Sequence, residues 1–145
     1  MLSLTKLASA ALLVFATTIC SAQECKPTLV TMLEFAPNSA EVDSAQIASL
    51  AVWIEKAYKS HPSYAVTIVE GTAIQTDRDA KALARRRAVK AEAIVRALMR
   101  TSAPTEVSAH VFKPGDVSND GNYAAIQLVP DSATATLACR LQRSR

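Results

Sequence analysis

Along the second part of the chain the apolar positions switch repeatedly between a strand period and a helix period. Leu29 to Phe35 is almost continuously apolar, as expected of a strand covered on both faces. Ala36, Pro37 and Asn38 break it. Asp43 or Ser44 can then cap a helix, because the first amides of a helix lack partners. Ile47, Leu50, Ala51, Ile54 and Tyr58 recur at helical spacing, and Trp53 lies at the edge of their stripe. Lys59 to Pro62 ends that helix, since the residue before a proline avoids helical geometry. Tyr64 to Val69 predicts a second strand. Thr76 with Asp79 forms a capping-box pattern ahead of a long second helix. Val107, Ala109 and Val111 alternate with Ser108 and His110, predicting a half-buried third strand. Lys113 to Asn122 is a polar loop, and Tyr123 to Val129 a fourth strand. After Pro130, Asp131 and Ser132, apolar Ala135, Leu137, Cys139 and Leu141 alternate with Thr134, Thr136, Ala138 and Arg140, a fifth strand or an extended tail.

The predicted order is β-α-β-α-β-β. Strands alternating with helices imply crossovers, so the fold class is α/β, an α+β sandwich with two main helices packed on one sheet. A closing hairpin would add an antiparallel pair and make the sheet mixed. There is no internal repeat. The chain has 145 residues, half of them hydrophobic, which suits one domain with a real core and is too little for two.

The start of the chain changes the picture. Lys6 ends a short basic beginning, Leu7 to Ile19 is apolar, and Cys20, Ser21 and Ala22 supply the small residues a signal peptidase reads. The expected organisation is a signal peptide over 1–22 and a single domain over 23–145, with export to the periplasm or beyond. The apolar run is too short for a helix spanning a bilayer. A lipid-carrying cysteine usually follows a small residue, whereas Cys20 follows Ile19. Cleavage after Ala22 removes Cys20 and leaves Cys25 and Cys139. Two thiols in an oxidising compartment usually pair, and this pair would close a loop of over a hundred residues, worth roughly 4–5 kcal/mol in the chain-entropy model. Two unpaired buried cysteines are the other reading. Neither the cysteines nor the two histidines have metal-ligand spacing, so no metal and no cofactor is expected.

Charge is unevenly placed. Without Lys6, 15 of the 16 basic residues face 13 acidic ones. Asp77 to Arg100 alone holds eight basic and three acidic residues, a local charge of +5. No aromatic residues interleave with these charges, and an exported protein rarely meets nucleic acid, so that class of partner is excluded. The second helix holds one basic residue out of place. With Leu83 at zero and 100° per residue, Ile94, Ala80, Leu98, Ala91, Ala84 and Val95 fall between about 20° and 120°, the buried stripe. Arg87 falls at about 40°, inside it, while Arg85, Arg86 and Lys90 face outward. A buried guanidinium needs a carboxylate, a set of carbonyls or a ligand anion.

Three segments resemble the OmpA-like peptidoglycan-binding domain. Leu33-Glu34-Phe35-Ala36-Pro37-Asn38-Ser39-Ala40-Glu41-Val42 is similar to its opening strand and turn. Val66-Thr67-Ile68-Val69-Glu70-Gly71-Thr72-Ala73 is similar to its second strand, which ends in a glycine. Leu83-Ala84-Arg85-Arg86-Arg87-Ala88, followed by Ala91 and Val95, is similar to its second-helix signature. The resemblance runs from about Leu29 to Leu98. It implies non-covalent binding of the diaminopimelate stem peptide of peptidoglycan, with an Asp accepting from the ligand ammonium and the helix Arg, here Arg87, forking onto its carboxylate. The chain departs from this pattern in the Asp. Three residues after the glycine stands Ile74, and counting back from Arg87 lands on Thr72. The family's Asn and Ser map onto Ala80 and Ala84, and the Gly71–Arg87 segment is about two residues short.

The expected ligand-binding residues are therefore Arg87, Asp77, Thr72 and Asp79, with Asp77 and Asp79 as replacement ammonium partners or as helix-capping residues, and Glu70 as a weaker candidate. The expected function is weakened peptidoglycan binding by a periplasmic domain. The alternative is a degenerate OmpA-like fold used as a protein-interaction module, a secretion-system accessory or an inhibitor of a toxin or wall hydrolase. The partner is accordingly peptidoglycan or an envelope protein, with no transmembrane span in the mature chain. An enzyme is not expected. His61 beside Pro62 and His110 on the polar side of a strand read as surface histidines, and no nucleophile elbow, phosphate loop or catalytic carboxylate pair is present.

Overall fold

A computed structural model describes residues 28–131. The predicted signal peptide, the Cys25–Cys139 pair and the fifth strand lie outside the described residues. Within them, β1 (Leu29–Glu34), α1 (Ser44–Ser60), β2 (Tyr64–Ile74), α2 (Ala80–Leu98), β3 (Thr105–Phe112) and β4 (Tyr123–Pro130) follow in the predicted order, with a short 3₁₀ turn, Ser118–Gly121, before β4. The sheet runs β1-β4-β2-β3. It is mixed, but for a different reason from the hairpin predicted. β4 does not pair with β3. It inserts between β1 and β2, antiparallel to both, while β3 lies parallel to β2. The loop from Lys113 to Asn122 therefore carries the chain across β2, which a tight hairpin would not require.

The two helices lie on one face of this sheet. Leu33, Phe35, Leu50, Ile54, Tyr58, Val69, Val95, Ile126 and Leu128 form the main core between the layers. Asp43 caps α1 by accepting from the Gln46 amide at 2.8 Å. The expected capping box of α2 does not form: Asp79 sits at φ 50° in the left-handed region, and its side chain makes no cap bond. Strand β2 runs five residues beyond Val69, through Gly71. That glycine is the reason α2 can sit so close. A Cβ there would stand 2.1 Å from the Ala84 carbonyl oxygen and 2.5 Å from the Ala88 amide nitrogen. Ala84, Ala88 and Ala91, all buried, supply the matching small surface on α2. Close approach of helix and strand then places the next side chain on that face, Arg87, over the end of the sheet.

The expectation that β1 is covered on both faces is corrected. Val30 and Met32 are 51% and 50% exposed. An antiparallel edge strand packs one face on the helices and leaves the other open, so a continuous apolar run did not mean two-sided burial. His61 is also corrected: it ends α1 as a C-cap and is buried, with neither ring nitrogen in a hydrogen bond.

Candidate functional site

Arg87 is fully buried, with 0% of its surface exposed. The helical-wheel expectation for its position therefore holds, and what surrounds it is a cage of neutral acceptors. Its Nε donates to the Ser39 carbonyl at 2.8 Å. Nη1 donates to the Thr72 carbonyl at 2.8 Å and the Gly121 carbonyl at 2.9 Å. Nη2 donates to the Ala36 carbonyl at 3.2 Å and to Asn122 Oδ1 at 2.9 Å. A guanidinium has five N–H groups, and here five acceptors take them. The Phe35 ring lies 5.3 Å from Cζ and adds a cation–π contact. No carboxylate among the described residues forms an ion pair with Arg87. Burial lowers the pKa of Arg87 below the ordinary arginine value; the charge of Asp77 pushes it back up, and Arg86 lowers it further.

These acceptors come from two loops and the end of a strand, gathered at one end of the sheet. Ala36 and Ser39 follow β1, Thr72 belongs to the end of β2, and Gly121 and Asn122 precede β4. These loops and the turn after β2 contain every non-glycine residue with positive φ among those described: Asn38, Asp79, Asn119 and Asp120, with φ between 45° and 56°. Asn and Asp tolerate this region better than other side-chain-bearing residues. Asn38 Oδ1 also accepts from the Arg78 amide at 2.9 Å and ties the first loop to the turn after β2. Arg87 is thus the common anchor of three segments.

The four predicted site residues meet only in part. Thr72 reaches Arg87 through its carbonyl. Its buried hydroxyl lies 2.7 Å from both the Gly121 and Tyr123 carbonyls, and its one proton can serve either. Asp77 is near enough for its charge to act on Arg87, but its carboxylate accepts from the Ile74 amide at 3.0 Å and closes the turn after β2. Asp79 is exposed at the head of α2. Glu70 points to the open face of the sheet, where it accepts from Gln127 at 3.1 Å. Asn122 was missed by sequence reasoning. A lone Asn at the end of a polar loop carries no signal without the fold that turns it toward Arg87.

No family model matches the chain, and no curated protein matches it. Several solved structures are similar in fold, two of them as follows. The OmpA-like domain of FopA1 from Francisella tularensis superposes with a TM-score of 0.55 at 15% identity, covering 71% of this chain and 73% of that one. The fold is OmpA-like. The periplasmic domain of Helicobacter pylori MotB superposes with a TM-score of 0.51, also at 15% identity, over 81% of this chain and 91% of that one. Among the described residues of this chain of OmpA-like fold, no helix is long and apolar enough to cross a membrane, and no cluster of His, Cys, Asp and Glu could hold a metal.

One constellation resembles an acid–base relay and fails on geometry. His110 Nε2 lies 3.0 Å from Ser108 Oγ and 3.8 Å from Glu70 Oε1. A relay needs the two partners on opposite ring nitrogens, whereas here a single nitrogen faces both.

Proposed function

We propose that this chain is an exported envelope domain of OmpA-like fold that acts as a protein-interaction module, its buried arginine serving the architecture of the three segments rather than a ligand. The observation that carries this reading is the saturated guanidinium. Arg87 has no exposed surface, and each of its five N–H groups already has an acceptor within 3.2 Å. A diaminopimelate carboxylate would have to displace this set of acceptors, among which the Ser39 and Thr72 carbonyls have Arg87 as their donor. The missing family Asp points the same way, since Asp77 is occupied with the Ile74 amide. Similarity in fold to periplasmic and OmpA-like domains supports an envelope location.

Peptidoglycan binding is the second reading, and one observation favours it: the charge of Asp77 lies within electrostatic reach of Arg87, the pairing a zwitterionic ligand would need. Co-sedimentation with purified diaminopimelate-type sacculi separates the two. The interaction-module reading expects the oxidised protein to stay in the supernatant at physiological salt, while an authentic OmpA-like peptidoglycan binder pellets. Pelleting of the wild type that is lost in Asp77→Asn, with thermal stability retained, would overturn it in favour of wall binding.

A further inference from the structure

Among the described residues the sheet has two edges, β1 and β3, and β1 is capped at one end. On β1, the Glu34 amide donates to Gln46 Oε1 at 2.8 Å, and Gln46 Nε2 donates back to the Glu34 carbonyl at 3.0 Å. Gln46 thus imitates a neighbouring strand at that end of β1. Strand β3 has no such device. The Thr67 amide bonds the Pro104 carbonyl and the Gln75 amide bonds the Phe112 carbonyl, so the even-numbered residues of β3 turn their backbone toward β2. Because backbone groups alternate along a strand, Thr105, Val107, Ala109 and Val111 direct theirs outward. None of the four makes a hydrogen bond on that side to another described residue. No lysine, proline or bulge interrupts β3 to discourage pairing; Pro104 and Lys113-Pro114 stand only at its two ends.

The side chains beside this edge define what could join it. Val107, Ala109 and Val111 share the helix side of the sheet, since they pair with Val69, Gly71 and Ala73. Val107 is 41% exposed and Val89 of α2 is 51% exposed. Between them runs a groove of about 420 Å³ lined by Arg85, Val89, Glu92, Val107 and Ala109. Its charge is positive. Arg85 in its lining, and Lys81 one turn earlier on α2 outside the lining, make no ion pair among the described residues, and the acid of the groove, Glu92, is already bonded to Arg96.

We infer that the β3 edge is a docking site for an extended, acidic segment of a partner protein, which adds as a further strand beside Val107–Val111 and sets apolar and acidic side chains against Val89 and Arg85. This rests on the interaction-module reading and names its surface. Main-chain pairing supplies affinity in such complexes, and the pockets beside alternate residues supply selectivity. The basic groove favours an acidic partner over a second copy of this chain, which would bring Arg85 and Lys81 toward their own likes.

The test is a display selection of random peptides of about ten residues against the oxidised protein, followed by amide hydrogen exchange with the winning peptide. The expected winners are net negative with alternating β-branched residues, and they slow exchange at Val107, Ala109 and Val111. Ala109→Pro removes an outward amide without removing a bond to β2, and Arg85→Glu reverses the groove charge. Each should weaken binding at least tenfold, with melting temperatures close to wild type. Val107→Lys serves if Ala109→Pro folds poorly. No enrichment, winners without acidic residues, equal binding by Arg85→Glu, or protection that appears with protein concentration alone would each overturn the proposal. Sacculus pelleting would instead sink the functional reading and leave the exchange result standing on its own.

Discussion

Arg87 carries a positive charge into a place where no carboxylate meets it, and its stability rests on hydrogen bonds to dipoles. Hydrogen bonds to a charged group are individually among the stronger ones, and five of them offset much of the desolvation. Arg87→Ala would leave a large cavity and take a donor from four carbonyls and Asn122 Oδ1, of which the Ala36 carbonyl keeps the Ser39 amide and the Gly121 carbonyl the Thr72 hydroxyl. The expected loss is about 3–5 kcal/mol in urea unfolding, a large share of a small domain's stability. Arg87→Lys should recover only part of it, since an ammonium has three donors and no fork. A loss under about 1 kcal/mol for the alanine variant would mean that the cage is decorative. The position of Arg87 was legible from helical spacing alone. Its partners were not, because four of the five are backbone carbonyls whose direction depends on loops with left-handed Asn and Asp residues. A second residue-level outcome concerns Tyr64. Burial first, and then Tyr58, push its phenol up to about 12. A pKa raised above the ordinary 10 means stability present below pH 10 and lost as pH climbs toward 12. Spectrophotometric titration should find one tyrosine ionising late and unfolding beginning in that window; early, reversible ionisation of every tyrosine would contradict it.

The elements themselves were read well where one physical cause dominated. Asp43 or Ser44 marks the start of α1 in the sequence, and of the two it is Asp43 whose side chain accepts from an orphan amide. The reading went astray where tertiary placement decides. An apolar run in β1 looked the same whether one face or two would be buried. The alternation in β3 likewise could not reveal an edge, because edges are set by strand order, and β4 took the central place beside β2. Gly71 is the sharpest case of an element-level dependence. Any side chain there collides with the backbone of α2 rather than with a movable tip. Gly71→Ala should therefore push α2 off β2 and cost about 3 kcal/mol, the upper part of the usual range for overpacking. Because Arg87 rides on that helix, the same variant should also speed amide exchange in all three segments it anchors. Normal exchange at Asn122 in a destabilised Gly71→Ala would separate the helix seat from the guanidinium cage.

At the scale of the whole molecule, the two ends of the described chain leave the sheet together. Leu29 begins β1 directly opposite Leu128 near the end of β4. Paired strands hold such positions about 5 Å apart, within the span a disulfide requires between Cα atoms. Cys25 stands four residues before Leu29 and Cys139 eleven after Leu128 in the sequence, both outside the described residues. A bond between Cys25 and Cys139 would close a loop of over a hundred residues. We expect the exported protein to begin at Gln23 and to carry the Cys25–Cys139 bond, seen by mass spectrometry as a loss of two hydrogens that reducing agent restores. Its reduction should lower unfolding free energy by roughly 4–5 kcal/mol, the loop-closure value for a loop of this length. The stabilisation would come largely from the unfolded chain, so the native exchange pattern around Arg87 should be little changed by reduction. Free thiols at both positions in protein recovered from the periplasm would remove the bond from the argument. An oxidised protein no more stable than the reduced one would show instead that the core between two helices and four strands holds the domain without it.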